Sequence, residues 1–428
     1  MNKKTVKVSE IFVPGGLPQY TYVSRTDRGL EERIKATVDN LCKITTVTGQ
    51  TKSGKTVLVK KVLQTYQPIW LDGGTITSLD DFIEQIGDQL DATFNDEVIV
   101  SKDKTVGASA EIEAEANLLF LKGKGKFTPK ADTRSGKQEK KVIARSPKLR
   151  VANLIRELKR PIVIDDFHYL KAELQGQITR YLKPLVFDGT PVIYLAIPHR
   201  RYDAVKVERE MNGRIEHVQV PPWDIRELTR IAQLGFPPLN IEPHFETSTK
   251  LAGESLGSPH LMQEFCKKIC YESGVNETSN VVRKINPRFP YENIFRVVAS
   301  DLGRNIFEKL ARGPRTRADR KQRLLKTGDS ADIYCLVLLA LAELKPTLES
   351  IDYEALRRSM REILAGDLPQ VNEVTRVLEH MAKIASLDQI SVSVLDYEKE
   401  ERRLHITDPF FAFFLRWGRD NMKIETRN

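Results

Sequence analysis

The chain has 428 residues, of which 40% are hydrophobic and 29% are charged. That length gives enough material for two or three domains with packed cores. Lys and Arg number 67 against 58 Asp and Glu, a net charge of +9, and no apolar run reaches the ~18 residues of a membrane helix. The composition therefore predicts a globular protein without a membrane span.

Signals for export and for metal binding are missing from the sequence. The N-terminus lacks the apolar stretch of a secretory signal, and the four cysteines lack the spacing of metal ligands. Cys266 and Cys270 stand four residues apart on a predicted helix, and we interpret them as buried thiols, with a metal or redox site as the alternative. These features predict a cytoplasmic protein.

A phosphate-binding motif follows the first predicted strand. The β-branched run Ile44–Thr48 predicts the strand, and the eight residues from Gly49 read G-x-x-x-x-G-K-T before an apolar run at helical spacing. Gly49 and Gly54 would let backbone N–H groups surround phosphates at a helix N-terminus. Lys55 would neutralise the β- and γ-phosphate oxygens, and Thr56 would bind Mg²⁺. We therefore expect Lys55 to serve both binding and catalysis.

About 110 residues separate this loop from the next acidic strand. A strand at Pro68–Asp72 and helices at Ser78–Leu90 and Pro147–Arg160 account for part of them. Residues 93–145 are predicted to be an insertion. Within it, residues 108–120 alternate apolar with polar side chains, which favours an amphipathic hairpin, and an Ala/Glu/Leu helix is the alternative. Such an insertion is more typical of partner binding than of chemistry.

Two adjacent carboxylates end the acidic strand. The apolar run Ile162–Ile164 leads into Asp165 and Asp166. Asp165 would hold the Mg²⁺ shell, and Asp166 would orient or deprotonate an attacking water. The alternative is that both carboxylates only cap the following helix. Because no TKxD-type guanine signature is evident, the site is predicted to use ATP.

The arginines that follow the next strand are candidate catalytic groups. The strand Pro191–Ile197 leads to Arg200 and Arg201. Ligands of parallel sheets bind beyond the carboxyl ends of the strands, so Arg200 is the candidate to face the γ-phosphate, and Arg201 is the reserve. A surface arginine pair is the alternative. Further on, Arg214 or Arg209 is a candidate finger acting across subunits, unless it is an exposed arginine at a helix end.

The positive charge is concentrated in two segments. Residues 122–150 contain eleven bases and two acids, and residues 312–326 contain seven bases and one acid. Clustered bases favour an anionic partner, most often nucleic acid, because each phosphate contact releases counterions. The alternative is a solvated, self-repelling loop. These segments are therefore the predicted DNA contacts.

The second half of the chain has mostly helical patterns. Asp224 is predicted to cap a helix at Ile225–Leu234. Further on the pattern predicts three helices, two strands that form a wing, and a closing aromatic helix packed on them, and these segments are 331–344, 352–364, 371–384, 390–395, 402–406 and 406–417. Three helices and a wing predict a winged helix. Because its third helix carries few bases and its wing tip is acidic, base-specific DNA recognition is not favoured.

Together these residues resemble the STAND and AAA+ group of P-loop ATPases, nearest to the archaeal-type, NACHT and NB-ARC switch ATPases. The segment Tyr22–Glu31 is similar to the segment that lines the adenine pocket in that group, which assigns Val23 and Arg25 to nucleotide binding. The segment Leu256–Leu261 is similar to the G-x-P motif of the helical lid, where Pro259 would pack at the base. The arginine after the fourth strand is similar to the group's sensor.

The C-terminus is similar to the "DPF…RW" ending of archaeal-type ATPases, while His260 stands where AAA+ proteins have a second-sensor arginine. The resemblance implies an α/β fold with a parallel-sheet (ASCE) core, a helical lid and a C-terminal winged helix. We predict four parts: the core at 1–223, the lid at 224–311, a basic linker at 312–330 and the winged helix at 331–428.

The resemblance also implies a function. It indicates a Mg²⁺-dependent ATPase that acts as a switch, forms homo-oligomers, and recruits or activates a separate effector protein in antiviral defence or mobile-element regulation. In that group the winged helix often serves as an internal latch. The alternative is a DNA-loading or remodelling ATPase of the origin-recognition type. A small-molecule kinase has no support beyond the phosphate loop.

Overall fold

The computed structural model describes residues 5–39, 42–91, 146–197, 213–244, 246–285, 289–314, 320–386 and 394–418, and the backbone of residues 99–100 and 141–142. The strands are β1 (Ile44–Thr48), β2 (Ile69–Asp72), β3 (Ile99–Val100), β4 (Lys141–Val142), β5 (Ile162–Asp165), β6 (Val192–Ala196), β7 (Ile215–Gln219), β8 (Ile241–Glu242), β9 (Arg283–Lys284), β10 (Arg323–Leu324), β11 (Ser330–Ala331), β12 (Ser350–Asp352), β13 (Leu395–Glu398) and β14 (Arg403–Ile406). The helices are α1 (Val8–Ile11), α2 (Leu30–Asp39), α3 (Lys55–Leu63), α4 (Leu79–Gln89), α5 (Pro147–Leu158), α6 (Ala172–Phe187), α7 (Ile225–Gly235), α8 (Thr247–Glu254), α9 (Pro259–Glu272), α10 (Tyr291–Arg312), α11 (Ile333–Glu343), α12 (Tyr353–Ile363), α13 (Val371–Ser386) and α14 (Pro409–Trp417).

A five-stranded parallel sheet forms the centre of the first half. Its strand order is β2-β5-β6-β1-β7, so β6 lies between the strand that precedes the phosphate loop and the strand that ends in the acidic pair. The carboxyl ends of all five strands meet at one edge, where ligands of such sheets bind. The predicted α/β class with a parallel-sheet core is confirmed.

Helices cover both faces of this sheet, so side chains on both faces of its central strands are buried. Apolar side chains of α4, α5 and α6 pack on one face, and those of α2 and α3 pack on the other. β1 and β6 are buried along their full lengths. The whole of the predicted 108–120 pattern lies outside the described residues, and the flanking strands β3 and β4 pair antiparallel.

The predicted lid contains α7, α8, α9 and α10 and also binds the start of the chain. Val8, Ile11 and Phe12 belong to the same hydrophobic cluster as the lid helices, although the sequence assigned residues 1–223 to the ATPase core. The Val6 N–H donates to Thr278 Oγ1 at 3.0 Å, across 272 residues of sequence. The N-terminal segment is therefore part of the lid body, and the chain enters the sheet only afterwards.

The C-terminal region begins with the β10–β11 hairpin, which lies within the predicted linker. The three predicted helices are present as α11, α12 and α13, and a three-stranded antiparallel sheet of order β12-β14-β13 accompanies them. The short β12 was not predicted. Of the predicted strand at 390–395, residues 390–393 lie outside the described residues.

The closing aromatic helix α14 packs against more than its own domain. Phe413 contacts Phe265 of the lid and Phe295 of α10, with ring centroids 5.1 and 6.0 Å away. Phe414 lies 5.2 Å from Phe307 of α10. The predicted packing against α11 and β14 is also present. α14 therefore joins the C-terminal region to the lid.

Candidate nucleotide site

A cleft of about 400 Å³ opens between the carboxyl edge of the sheet and the lid. The phosphate loop, the N-terminal segment and α9 form its walls. The predicted site residues in its lining are Val23, Arg25, Gly54, Lys55, Thr56, Asp166 and Pro259. A cleft with apolar walls and a few convergent polar groups is the usual form of a small-molecule site.

The two predicted glycines of the loop are required by its shape. A Cβ at Gly49 would lie 2.8 Å from the Val220 carbonyl oxygen and 2.9 Å from Ser53 Oγ. Gly54 has a φ of +85° directly before α3, a conformation that glycine adopts without steric cost. The sequence motif therefore corresponds to backbone constraints at both positions.

The Lys55 ammonium is turned onto its own loop. Its Nζ donates to the carbonyl oxygens of Gly49 at 2.8 Å and Gln50 at 3.0 Å, and the residue is only 8% exposed. Burial lowers the pKa of Lys55 to about 8, opposed by the carboxylates of Asp166 and Asp165. If a phosphate bound here, the Lys55 ammonium would exchange its two hydrogen bonds to carbonyl oxygens for contacts with the negatively charged phosphate oxygens.

The carboxylates stand beside the hydroxyl that the motif predicts as a metal ligand. Thr56 Oγ1 donates to Asp165 Oδ2 at 2.9 Å. Burial and the neighbouring Asp165 raise the pKa of Asp166 to about 6, and burial raises the pKa of Asp165. A hydroxyl and a carboxylate together are oxygen donors of the kind that Mg²⁺ prefers, so these residues fit that ion.

Gly73 supports the acidic pair and was missed in the sequence. Its N–H donates to the Asp165 carbonyl at 2.8 Å, and a Cβ here would lie 2.5 Å from the Asp166 carbonyl oxygen. Asp166 has a φ of +51°, in the left-handed region. The signal was available, because two glycines follow the predicted strand Pro68–Asp72 directly.

The guanidinium of Arg25 connects the core to the lid. It is 4% exposed, its Nε donates to Glu227 Oε1 at 2.9 Å, and its Nη1 donates to the Pro221 carbonyl at 3.0 Å. It lies 4.9 Å from the centre of the Trp223 ring. Arg28 also binds Glu227, at 2.9 Å. Although Arg25 lines the cleft as predicted, its charge is already paired with the first lid helix.

The lid reaches the phosphate loop through two further residues. Trp223 Nε1 donates to the Ser53 carbonyl at 2.8 Å, a contact the sequence did not predict. Ser258 caps α9 directly before Pro259, and its Oγ lies 3.5 Å from the Lys52 carbonyl oxygen. The loop is therefore held from the lid side as well as from the sheet.

Of the predicted arginines, Arg214 falls within the described part of the chain, whereas Arg200, Arg201 and Arg209 lie outside it. The Arg214 carbonyl accepts from the Ile44 N–H at 2.9 Å, so Arg214 stands at the amino end of β7. A five-residue strand spans ~16 Å. Arg214 is thus at the opposite edge of the sheet from its own phosphate loop.

Part of the second basic segment is engaged inside the protein. Arg320 pairs with Asp332 at 2.9 Å and is 13% exposed, and Arg323 pairs with Glu373 at 3.3 Å and is 10% exposed. These two guanidinium groups are not available to phosphates, contrary to the expectation for the whole segment. Most of residues 122–150 lie outside the described residues.

The described residues also bear on the expectations about metals and membranes. Among them no group of three or more His, Cys, Asp or Glu side chains could hold a metal ion, and none of their helices is long and apolar enough to cross a membrane. Cys266 and Cys270 are buried, as predicted, and burial raises the pKa of Cys270 to about 12.

Comparison with protein-family models and with curated proteins found no match. Among solved structures, the Walker-type ATPase PABY2304 of Pyrococcus abyssi is similar at 14% identity and a TM-score of 0.51, over 92% of this chain and 97% of that one. The Aeropyrum pernix ORC2 protein in ADPNP–ADP complexes aligns at 13% identity and a TM-score of 0.49, over 96% and 97%. The first similarity shows that nearly the whole chain has the fold of a Walker-type ATPase.

Proposed function

We propose that this chain binds ATP with Mg²⁺ in the cleft and hydrolyses it. The observation that carries this proposal is the convergence of Lys55, Thr56, Asp165 and Asp166 behind a glycine-bounded loop at the carboxyl edge of a parallel sheet. A bound Mg²⁺ would neutralise phosphate charge. Catalysis of phosphoryl transfer is mostly positioning and electrostatic stabilisation, and these groups supply both.

Each side chain has a distinct role in this proposal. Lys55 leaves the carbonyls of its own loop and contacts the β- and γ-phosphates, and Thr56 and Asp165 hold the metal shell. Asp166 orients and deprotonates the attacking water, and its pKa of about 6 leaves it ionised at neutral pH. Asp166 follows the last residue of β5 and lines the cleft, which supports this role.

Closure of the lid on the nucleotide would convert nucleotide binding into a change in the position of the lid relative to the core. Trp223 and Pro259 come from the lid side of the cleft, whereas Lys55 comes from the core. A ligand that touches both bodies stabilises the arrangement in which both contacts are made. We therefore propose a nucleotide-dependent switch that forms homo-oligomers and acts on a separate effector.

A DNA-loading ATPase of the origin-recognition type is the second candidate and has at least equal support. The bases of residues 122–150 favour it, because the net charge of that segment, eleven bases less two acids, equals the +9 of the whole chain. Both candidates require the same nucleotide chemistry. They differ in whether the ATP-bound state binds DNA.

The nucleotide chemistry is tested by Lys55→Ala and Asp166→Asn, with Lys43→Ala as the matched control. Lys43 pairs with Glu216 at 3.6 Å, at the opposite edge of the sheet. Lys55→Ala is expected to abolish binding of a fluorescent ATP analogue. Asp166→Asn is expected to bind normally and to lower kcat by about 100-fold or more. Normal turnover in Asp166→Asn would contradict its assigned role.

The two candidate partners are separated by binding of labelled duplex DNA at two salt concentrations, with a non-hydrolysable ATP analogue and with ADP. A loader is expected to bind in the ATP state with a steep salt dependence, and Lys137→Ala, Lys140→Ala and Lys141→Ala together should flatten it by up to ~3 units of slope. Arg320 and Arg323 should contribute little, because they pair internally. Absence of DNA binding in both states would favour the switch with a protein effector.

A further inference from the structure

Lys52 of the phosphate loop contacts the C-terminal helix α14. Its Nζ lies 5.3 Å from the centre of the Phe410 ring, and Phe410 is the second residue of that helix. Lys52 has a φ of +61°, a backbone conformation that residues with side chains rarely adopt. A residue of the nucleotide loop thus reaches a helix that lies more than 350 positions later in the sequence.

The charge of Lys52 acts on both sides of this contact. On the nucleotide side it lowers the pKa of Lys55 and of Asp166. On the C-terminal side it lowers the pKa of the Asp408 carboxyl, which burial raises. Lys52 therefore stands between the phosphate position and the cap of α14, within electrostatic reach of both.

Asp408 and Phe410 form the part of α14 that depends on this charge. The Asp408 carboxylate accepts from the backbone N–H groups of Phe410 at 2.8 Å and Phe411 at 2.9 Å, which caps the helix. Burial disfavours the charged form of Asp408, and a nearby cation compensates. If Lys52 moved away, the cap would lose its countercharge, and Phe410 would keep its contact with His260 but lose the one with the ammonium.

A phosphate would draw Lys52 away from this position. Lys52 lines the cleft next to Lys55, so phosphate oxygens bound to the loop would lie within reach of its flexible stem. The negative charge of a phosphate attracts an ammonium more strongly than the face of a phenyl ring does. The contact with Phe410 is made at an exposed lysine, and such contacts are weak enough to be exchanged.

We infer that Lys52 is a two-position coupling residue, which holds the amino end of α14 in the nucleotide-free protein and releases it when phosphate binds. This inference rests on the proposed nucleotide binding. It adds the contact through which nucleotide binding in the cleft would change the position of α14. Because α14 packs on both α10 and α11, its release would reach the lid and the C-terminal region together. The signal then starts inside the loop, without requiring a separate sensor.

Hydrogen–deuterium exchange of the Phe410 and Phe411 amides tests the inference in the full chain, with and without a saturating non-hydrolysable ATP analogue. The variants are Lys52→Met, which keeps the stem without the charge, and Lys52→Arg, which keeps the charge. Lys250→Met is the matched control, because Lys250 lies 4.7 Å from the Tyr291 ring, within the lid. Binding of a fluorescent ATP analogue is measured on the same samples.

In the wild type, nucleotide is expected to speed exchange at these two amides by about two- to fivefold. Lys52→Met should exchange at the faster rate without nucleotide and should show no further change, while Lys52→Arg and Lys250→Met should behave as the wild type. Unchanged exchange in nucleotide-free Lys52→Met, or in wild type shown to be saturated, would overturn the inference. Failure of the wild type to bind nucleotide would refute the proposed function and the release step. Exchange rates of nucleotide-free wild type and Lys52→Met would still show whether Lys52 stabilises the amino end of α14.

Discussion

At the scale of single residues, burial determines the charge of His260 and so the part it can play in the cleft. It stands where the resemblance leads one to expect a cationic sensor, and its ring packs edge-on to Phe410 with centroids 4.8 Å apart. Burial first, and the charge of Lys52 second, lower the pKa of His260 to about 4. His260 is therefore neutral at neutral pH and cannot contribute a positive charge to the cleft.

The same pKa predicts a pH-dependent loss of stability. As the pH falls below 6.5, His260 becomes protonated in the unfolded chain but stays neutral in the folded chain until about pH 4. The free energy of unfolding therefore decreases as the pH falls through that interval. The expected loss is at most about 3 kcal/mol. Urea unfolding of wild type and His260→Gln between pH 7 and pH 4.5 should show a smaller decline in the variant. Parallel declines would contradict the assignment.

At the scale of elements, the close approach of α10 and α14 depends on one glycine. A Cβ at Gly303 would overlap the Phe414 side chain. Gly253 is a suitable control, because it lies in helix α8 and a Cβ there would meet nothing within 4 Å. Substitution of alanine at Gly303 and at Gly253 therefore separates two effects on stability: overpacking of the interface and reduced backbone freedom of the unfolded chain.

Gly303→Ala is expected to lower the free energy of unfolding by about 1–3 kcal/mol, since overpacking forces α14 to shift. Gly253→Ala should raise it by about 0.5–1 kcal/mol through improved helix propensity. Chemical denaturation followed by circular dichroism measures both changes. A stabilising or neutral Gly303→Ala would show that the α10–α14 interface yields to the added methyl group.

Elements with a local signal were predictable, and those defined by distant partners were not. β1 is a β-branched run, β5 is apolar up to Asp165, and α7 begins directly after the predicted cap Asp224. β7 was missed because only Ile215 and Val218 of its five residues are apolar and the two are three positions apart, and it becomes a strand only by pairing with β1. The three-residue β12 likewise depends on β14. The motif located Lys55 and Thr56, whereas the pairing of Arg25 with Glu227 joins residues 202 positions apart.

At the scale of the whole molecule, the two edges of the sheet have different roles. The cleft occupies the carboxyl edge, and Arg214 stands at the amino edge, with its guanidinium 5.9 Å from the exposed Phe187 ring. An arginine there can complete only a neighbouring subunit's site. We retain the finger role of Arg214 as a prediction that requires oligomers.

Arg214→Ala is expected to leave ATP-analogue affinity unchanged and to lower kcat by ~1,000-fold, because an arginine finger acts mainly on the transition state. Wild-type activity per chain should rise with protein concentration as oligomers form. Arg156→Ala is the control, since Arg156 is a partly exposed arginine at that edge, paired with Asp188 at 2.7 Å. Concentration-independent turnover, or full activity in Arg214→Ala, would exclude the finger role.

The attachment of the N-terminal segment to the lid has a consequence during protein synthesis. Val8, Ile11 and Phe12 are synthesised before the lid residues of their hydrophobic cluster, and Thr278, which binds Val6, is made 272 residues after Val6. At ~5–20 residues per second, translation leaves Phe12 without its ring partner Phe236, which lies 224 positions later, for about 11–45 s. The parallel sheet can assemble in that interval, so the nascent chain would carry a folded core with an uncovered apolar tail, a natural substrate for a ribosome-associated chaperone.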